Sequence, residues 1–256
     1  MTSKKEIADQ YDSLAETYDE RYQPAIKAKL WHDIVFSTLE EIIAGKKCRI
    51  LDAAGGTGFY SIPLIAKGQD IVVLDLSKEM LMKARDKTEK VETVLGDVEN
   101  MGFSNGTFDL VLCHLALCHF PNPVKALNEF QRVLRENGIL SLIVENKVFF
   151  SIIEAFKGNL QEAVRRLNSR ELYVNIGELP RIRTFEKTEL VDMCSVAGMK
   201  IIKIMGLMAL MNYLQACGKK FIEQSKELEM LEKKLSEMEE GAAFNRFLFL
   251  ICKKIG

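Results

Sequence analysis

The sequence lacks the features typical of secreted, membrane-spanning or nucleic-acid-binding proteins. Its six cysteines include no C-x-x-C pair, so free thiols in a reducing compartment fit better than a disulfide framework. No apolar run approaches the ~20 residues needed to cross a bilayer, and no signal peptide opens the chain. A formal net charge of −1 gives no overall field for nucleic acid or an anionic membrane. We therefore expect a cytoplasmic protein without a membrane partner.

The length of 256 residues suits one domain with a sizeable core and appendages. We expect residues 1–256 to form that single domain in four consecutive parts. The expected parts are a helical N-terminal segment 1–44, a core 45–145, an insertion 146–187 and a C-terminal part 188–256 with a helical excursion over 210–240.

A glycine-rich stretch, CRILDAAGGTG over Cys48–Gly58, is the feature around which the core is organised. It predicts a short strand that ends at Asp52, then a turn, then a helix beginning near Phe59. Gly56 and Gly58 lack a Cβ, so the main chain of the turn can approach a ligand closely. Strand, glycine turn and helix in this order indicate a nucleotide-type cradle.

Apolar runs alternate with helical patterns beyond this stretch, which predicts a parallel sheet covered on both faces. Ligands of such sheets bind at the carboxyl ends of the strands. The predicted strands are 48–52, 70–75, 91–95, 107–113, 138–144, 199–206 and 244–253. One helix is expected over roughly 149–168 and another over 187–197.

Two ligands compete for the glycine turn. Gly56-x-Gly58-x-x-Ser61 approximates a dinucleotide fingerprint, but the carboxylate of Asp52 would repel a pyrophosphate. A cationic ligand would be attracted by it. The run Asp52-x-Ala54-x-Gly56-x-Gly58 resembles the first motif, D-x-G-x-G-x-G, of class I S-adenosylmethionine-dependent methyltransferases, with Ala54 in place of the first glycine.

The following strand ends extend this resemblance. VLDLSKEML, with Asp75 17 residues after Gly58, is close to the second motif of that family, whose acid holds the ribose. Gly96-Asp97-Val98 resembles its adenine-reading step, and FDLVLC ends in His114, where the family's fourth strand opens onto the methyl group. The resemblance implies S-adenosylmethionine as cofactor and S-adenosylhomocysteine as product. The implied cofactor-binding residues are Tyr11, Tyr18, Asp52, Ala54, Gly56, Gly58, Asp75, Leu76, Met80, Asp97, Val98 and His114.

The N-terminal segment YDSLAETYDERY resembles a helix that covers the cofactor in this family, and it contains the two tyrosines named above. Without the resemblance, it would be a helix covering one end of the core. The family fold implied is α/β, Rossmann-like and doubly wound. Its mostly parallel seven-stranded sheet has an antiparallel last strand, with a helical N-terminal lid and helical insertions.

Two histidines are candidates for catalysis. His114 and His119 belong to Cys113-His114-x-x-x-Cys118-His119, whose composition raises the possibility of a metal site. Adjacent side chains on a strand point to opposite faces, however, and zinc sites draw on separated ligand pairs. We therefore expect no metal. Either histidine can act as a base for an amine, phenol or alcohol acceptor, whereas a carboxylate acceptor needs an orienting arginine and no base.

The flanking segments resemble the bacterial tRNA 5-carboxymethoxyuridine methyltransferase group. Segments that carry this resemblance are Leu30-Trp31-His32-Asp33, Ser141-Leu142-Ile143 with Asn146, Phe156–Asn159 and Leu179-Pro180-Arg181. It implies substrate contacts at Tyr22, Asn146 and Arg181. Arg181 also stands beside a proline in a connector over the open end of the sheet, where it could grip an anion.

The function expected is therefore methyl transfer to a small molecule or a modified tRNA base, at a carboxylate, oxygen or nitrogen. A nicotinamide-dependent oxidoreductase is one alternative, opposed by Asp52 and Ser61. A non-catalytic S-adenosylmethionine-binding module is another, and it would have no access for an acceptor. The acceptor, the need for a base and the oligomeric state stay open at this point.

Overall fold

The structure is a computed structural model in which residues 3–22, 26–169, 172–175, 181–208, 210, 212–213, 226–238 and 241–255 are described. Side chains are described for the same residues except 21–22, 26–30 and 229. The predicted substrate residue Tyr22 therefore has no described side chain, and Leu179 and Pro180 lie outside the described residues.

Helices and strands alternate through the core and continue into the C-terminal part. The helices are α1 Lys4–Tyr22, α2 Ile26–Ile43, α3 Ser61–Ala66, α4 Lys78–Lys87, α5 Pro123–Val133, α6 Lys147–Phe156, α7 Leu160–Asn168, α8 Lys187–Val196 and α9 Lys226–Glu237. The strands are β1 Arg49–Ala53, β2 Asp70–Asp75, β3 Glu92–Leu95, β4 Phe108–His114, β5 Leu134–Glu145, β6 Leu172–Val174, β7 Ile182–Thr184, β8 Met199–Leu207 and β9 Phe247–Lys254.

Seven strands form one sheet in the order β3-β2-β1-β4-β5-β9-β8. Pairs among β1 to β5 are parallel, while β9 runs antiparallel to both β5 and β8. The carboxyl ends of β1, β2, β3 and β4 consequently meet at one edge of the sheet. The expected doubly wound α/β fold with an antiparallel last strand is confirmed.

The sheet is covered on both faces, which is why its central strands consist almost wholly of buried apolar residues. One face packs against α2, α3 and α4, with Leu39, Leu64 and Leu81 in the core. The other face packs against α5 and α8, with Phe130 and Leu190 in the core. None of the helices in the described part of the chain combines the length and apolar character that crossing a bilayer requires.

The insertion differs from the sequence prediction. The single helix expected over 149–168 is wrong, because α6 ends at Phe156 and α7 starts anew at Leu160. Gly158, at a φ of +85°, takes a left-handed conformation that glycine adopts without strain, and its N–H bonds the carbonyl of Ala155. The insertion also contains β6 and β7, which pair as a separate two-stranded antiparallel sheet that the sequence did not predict.

Candidate functional site

A cavity of about 720 Å³, including its opening to solvent, lies at the carboxyl ends of β1, β2 and β4. We call it the central cavity. Its size lies within the roughly 300–1,000 Å³ that is usual for small-molecule sites. Ten of the twelve predicted cofactor residues line it, namely Tyr11, Tyr18, Ala54, Gly56, Asp75, Leu76, Met80, Asp97, Val98 and His114.

The other two predicted cofactor residues, Asp52 and Gly58, are not among the residues that line the central cavity. Asp52 lines a neighbouring space, the aromatic cavity, together with Trp31, His32 and Tyr60. Gly58, at a φ of +73°, closes the glycine turn by donating its N–H to the carbonyl of Gly55 at 2.9 Å. Its contribution in the structure is therefore to the shape of the turn.

The glycine turn contains a residue that sequence reasoning missed. A Cβ placed on Gly55 would lie 2.5 Å from Cγ of Asp52, closer than real Cβ atoms approach other atoms. Gly55 therefore allows the turn to pass directly over the buried carboxyl group. The sequence offers one signal for this role, the adjacent glycines Gly55 and Gly56 shortly after Asp52. Of these two, the predicted motif includes only Gly56.

Ala54 adopts a φ of +57°, in the left-handed region that disfavours side chains with a Cβ. We expect Ala54→Gly to raise the free energy of unfolding by about 0.5–1 kcal/mol, because relief of backbone strain outweighs the added freedom of the unfolded chain. A urea midpoint at unchanged slope measures this effect. Ala53→Gly, in the adjacent strand, is the matched control and should destabilise the protein instead. A lower midpoint for Ala54→Gly would contradict the strain argument.

Two carboxyl groups, the buried Asp52 and the half-buried Asp75, bond to the turn or to the helix that follows it. Asp52 accepts a hydrogen bond from Ser61 Oγ at 2.6 Å, and burial raises its pKa to about 6. Asp75 accepts bonds from the backbone N–H groups of Gly56 (2.9 Å) and Ser77 (2.8 Å), and burial also raises its pKa. Among the described side chains, neither Asp52 nor Asp75 forms an ion pair. Desolvated carboxylates without a cation favour a ligand that brings positive charge or hydroxyl donors.

Helix α1 covers the central cavity and is held by polar contacts along its length. Near its start, Lys4 Nζ binds Asp97 Oδ2 at 2.6 Å. In its middle, Asp12 accepts bonds from Ser77 Oγ and from the N–H of Glu79 at the start of α4. These contacts put Tyr11 and Tyr18 against Met80 on the cavity wall.

The polar contacts of α1, which we call the seam, continue along its second half toward the glycine turn. Asp19 accepts a bond from Thr57 Oγ1 at 2.6 Å and pairs with Lys87 Nζ at 2.6 Å. Glu16 pairs with Lys83 at 2.7 Å. The helix is thus attached to the glycine turn, to α4 and to the segment after β3, which contain three of the cofactor motifs.

Both candidate catalytic histidines line the central cavity. His114 Nε2 lies 2.9 Å from Ser141 Oγ, and its ring packs edge-on against Tyr60. His119 Nε2 lies 2.8 Å from Tyr11 Oη. Burial lowers the pKa of His114 to about 3 and that of His119 to about 4, so both rings are neutral at neutral pH.

Leu115, the residue after His114, is a second feature that the sequence did not indicate. It adopts a φ of +57° and lines both the central and the aromatic cavities. Its N–H donates to the carbonyl of Ile143 at 2.8 Å, which holds the unusual conformation in place. Strained residues of this kind concentrate at functional sites.

A third space, the side cavity, adjoins the central cavity at His119. Its lining residues are Ile7, Cys118, His119, Phe120, Pro121, Tyr173 and Arg181. Arg181 places its guanidinium 5.6 Å from the ring centre of Tyr173. Asn146 instead lies buried and donates to the carbonyls of Ala243 and Asn245, so the structure assigns its amide to contacts within the protein.

Metal ligands do not converge in the part of the chain described here. Over those residues, no group of three or more His, Cys, Asp or Glu side chains is placed to hold a metal ion.

The fold and the cavity at its strand ends define the class of the protein: it has the fold of class I S-adenosylmethionine-dependent methyltransferases. Residues 51–142 match the family model described as methyltransferase domain. This part of the chain is therefore similar to a methyltransferase domain, and the resemblance expected from the sequence motifs is confirmed.

Comparison with individual proteins gives the same class. The chain is 31% identical over 138 residues to the malonyl-acyl-carrier protein O-methyltransferase of Hamiltonella defensa, covering 54% of this chain and 51% of the relative. It is 29% identical over 150 residues to the tRNA 5-carboxymethoxyuridine methyltransferase of Escherichia coli K12, covering 53% and 56%. The chain thus spans about half the length of these curated relatives.

A solved structure resembles the whole chain. The 1,6-didemethyltoxoflavin-N1-methyltransferase of Burkholderia thailandensis, determined with S-adenosylhomocysteine bound, superposes with a TM-score of 0.59 at 16% identity. The alignment covers 100% of this chain and 92% of the other. At this level of identity the likeness concerns the fold.

Proposed function

We propose that the protein transfers a methyl group from S-adenosylmethionine to an acceptor that enters beside His119. The observation that carries this proposal is the convergence of ten residues, predicted as cofactor contacts from separate motifs, on one cavity under α1. Chance placement would not bring residues of α1, the glycine turn and three strand ends to a single space. The match of residues 51–142 to a methyltransferase domain supports the same activity.

The residues of the cavity fit this cofactor. The Asp75 carboxylate would accept the two ribose hydroxyls, while Leu76 and Met80 would flank the adenine. Asp97 would accept the exocyclic amine, and the N–H of Val98 would meet the ring. Tyr11 and Tyr18 would cover the bound cofactor from α1, and Ala54, Gly56 and Gly58 would shape the turn beneath it.

When bound, S-adenosylmethionine supplies an electrophilic methyl carbon on a positively charged sulfur. The protein contributes alignment, because a displacement at carbon is fastest when nucleophile, carbon and leaving atom are held in line. Asp52, buried below the turn, would attract the positive charge of the ligand. His114, at the end of β4, would line the path of the methyl group. As neutral imidazoles, His114 and His119 retain the capacity to accept a proton from an acceptor that requires a base.

We further propose that the acceptor contacts Arg181, whose guanidinium lines the side cavity. Tyr22 and Asn146 stay predictions from family resemblance. The two curated relatives are named for action on a malonyl group carried by protein and on a modified tRNA uridine. Both a small molecule and a tRNA base therefore stay candidates, and the net charge of −1 favours the small molecule. The expected cytoplasmic location also stays a prediction.

We propose a separate role for each of the four consecutive parts of the chain. Residues 1–44 would act as a lid, 45–145 as the cofactor-binding core, and 146–187 as the substrate-side insertion. Residues 188–256 would complete the sheet. The seam of hydrogen bonds and ion pairs along α1 supports the lid, because these contacts hold α1 over the cavity.

Calorimetric titration of S-adenosylmethionine, S-adenosylhomocysteine and NAD into the protein tests the proposal. We expect micromolar binding of the first two ligands and no heat from NAD. Binding of NAD alone would instead support the nicotinamide-dependent oxidoreductase. Cofactor binding without methyl transfer to any acceptor, small molecules and bulk tRNA included, would support the non-catalytic module.

A further inference from the structure

Tyr11 and His119 form a contact that joins α1 to the cavity wall. Tyr11 Oη lies 2.8 Å from His119 Nε2, and the two rings meet edge to face with centres 5.5 Å apart. His119 ends the short 3-10 turn Leu117–His119 that follows β4. Tyr11 belongs to α1, and His119 belongs to the core 108 positions further along the chain. The contact therefore exists only while α1 lies on the core.

His119 stands where two spaces meet, since it lines both the central cavity and the side cavity. A group entering the side cavity therefore encounters this ring before it reaches the proposed cofactor site. Nδ1 of the ring is buried and has no hydrogen-bond partner in the described part of the chain. A buried ring nitrogen without a partner favours a ligand that supplies one.

A neutral imidazole has a single N–H, and its position decides what His119 can do. Of the two groups in contact, the phenol is the better donor and the unprotonated imidazole nitrogen the better acceptor. We infer that Tyr11 is a positioning residue whose hydroxyl donates to Nε2 and so holds His119 in the tautomer that carries its proton on Nδ1. In the closed site Nε2 is then occupied by Tyr11 and Nδ1 already carries a proton, so His119 has no nitrogen free to act as a base.

The chemical class of the acceptor follows from this arrangement, and it rests on the proposed methyl transfer. A site in which His119 cannot act as a base and the guanidinium of Arg181 lines the entry suits an acceptor that arrives ionised, a carboxylate. Its oxygen forms a bond to the methyl carbon as the carbon–sulfur bond breaks, and that electron pair stays on sulfur. The negative charge of the acceptor and the positive charge of the sulfonium cancel. No proton has to leave, so no base is needed.

Nitrogen-15 NMR tests the inference directly, because the chain has three histidines and therefore three imidazole spin systems. The ¹⁵N shifts distinguish protonated from unprotonated ring nitrogens, and His119→Gln assigns the signals. In the S-adenosylhomocysteine complex we expect His119 to carry its proton on Nδ1. Tyr11→Phe should change the shifts of His119 and leave those of His32 unchanged.

Tyr60→Phe is the matched control, because Tyr60 Oη lies 2.8 Å from His32 Nδ1 in the same kind of pair. It should change His32 and leave His119 unchanged. A proton on Nε2 of His119 in the wild-type complex would overturn the inference. Identical ¹⁵N shifts of His119 in the wild-type protein and in Tyr11→Phe would also overturn the inference.

A separate experiment tests the chemical class of the acceptor. Methyl esters release methanol in mild alkali, whereas N-methyl and ether groups do not. With methyl-labelled S-adenosylmethionine and a deproteinised cell extract, transferred label should be released by alkali. Alkali-stable label would contradict a carboxylate acceptor. Failure of S-adenosylhomocysteine to bind in the calorimeter would contradict the proposed function. The tautomer of His119 is measured in the complex with that ligand, so a wrong tautomer there would contradict the inference alone.

Discussion

Asp75→Asn is expected to weaken the binding of S-adenosylhomocysteine by about 100-fold, roughly 3 kcal/mol. A carboxylate can accept two ribose hydroxyls in charge-assisted bonds while also receiving the N–H groups of Gly56 and Ser77. An asparagine amide offers one oxygen and turns an N–H donor toward one of these donors. Isothermal titration calorimetry of wild type and variant measures the loss.

Asp70→Asn is the control for this substitution, since Asp70 begins the same strand and is exposed. It should bind the ligand with the wild-type affinity. An Asp75→Asn variant that remains folded and binds within threefold of wild type would show that Asp75 does not hold the ligand. Far-ultraviolet circular dichroism of both variants shows whether the fold is retained.

Gly55→Ala is expected to cost about 2–3 kcal/mol of stability and to abolish cofactor binding. Its methyl group would lie 2.5 Å from Cγ of Asp52 and 2.7 Å from Oδ2. That carboxyl group is buried and bonded to Ser61, so the turn must move away from it. Urea unfolding and calorimetric titration measure the two effects.

Gly102→Ala serves as the matched control, because nothing lies within 4 Å of an added Cβ there and φ is not positive. A double-mutant cycle sharpens the test. Asp52→Ala removes the group that the new methyl meets, so Gly55→Ala should cost at least about 1 kcal/mol less in that background. Additive effects of the two substitutions would show that the clash is not the cause.

The sequence was most informative where chemistry and local geometry coincide. Asp52, Asp75 and Asp97 could be placed at one edge because each follows an apolar run, and parallel strands bring their carboxyl ends together. The caps were also predictable: Ser77 Oγ accepts the N–H of Met80, as its place before α4 suggests. Such features depend on a few neighbouring residues.

Features that depend on tertiary contact could not be predicted. The two helices of the insertion split at Gly158, which a continuous helical pattern concealed. Tyr11 was expected to face the cofactor, but no pattern could pair it with a histidine 108 residues away. Gly55 matters because of the position of the Asp52 carboxyl group beneath it, and that position depends on the packing of the strand.

The seam along α1 has a consequence for the rate of turnover. On the proposed function, in which residues 1–44 act as a lid, product leaves when α1 separates from the core, and this breaks the pairs of Lys4, Glu16 and Asp19. Those pairs are partly exposed and therefore screened by salt. Higher ionic strength should then shorten the residence time of the product while it weakens affinity. On this proposal, the charges of one surface helix would determine both how tightly the cofactor is retained and how fast it is exchanged.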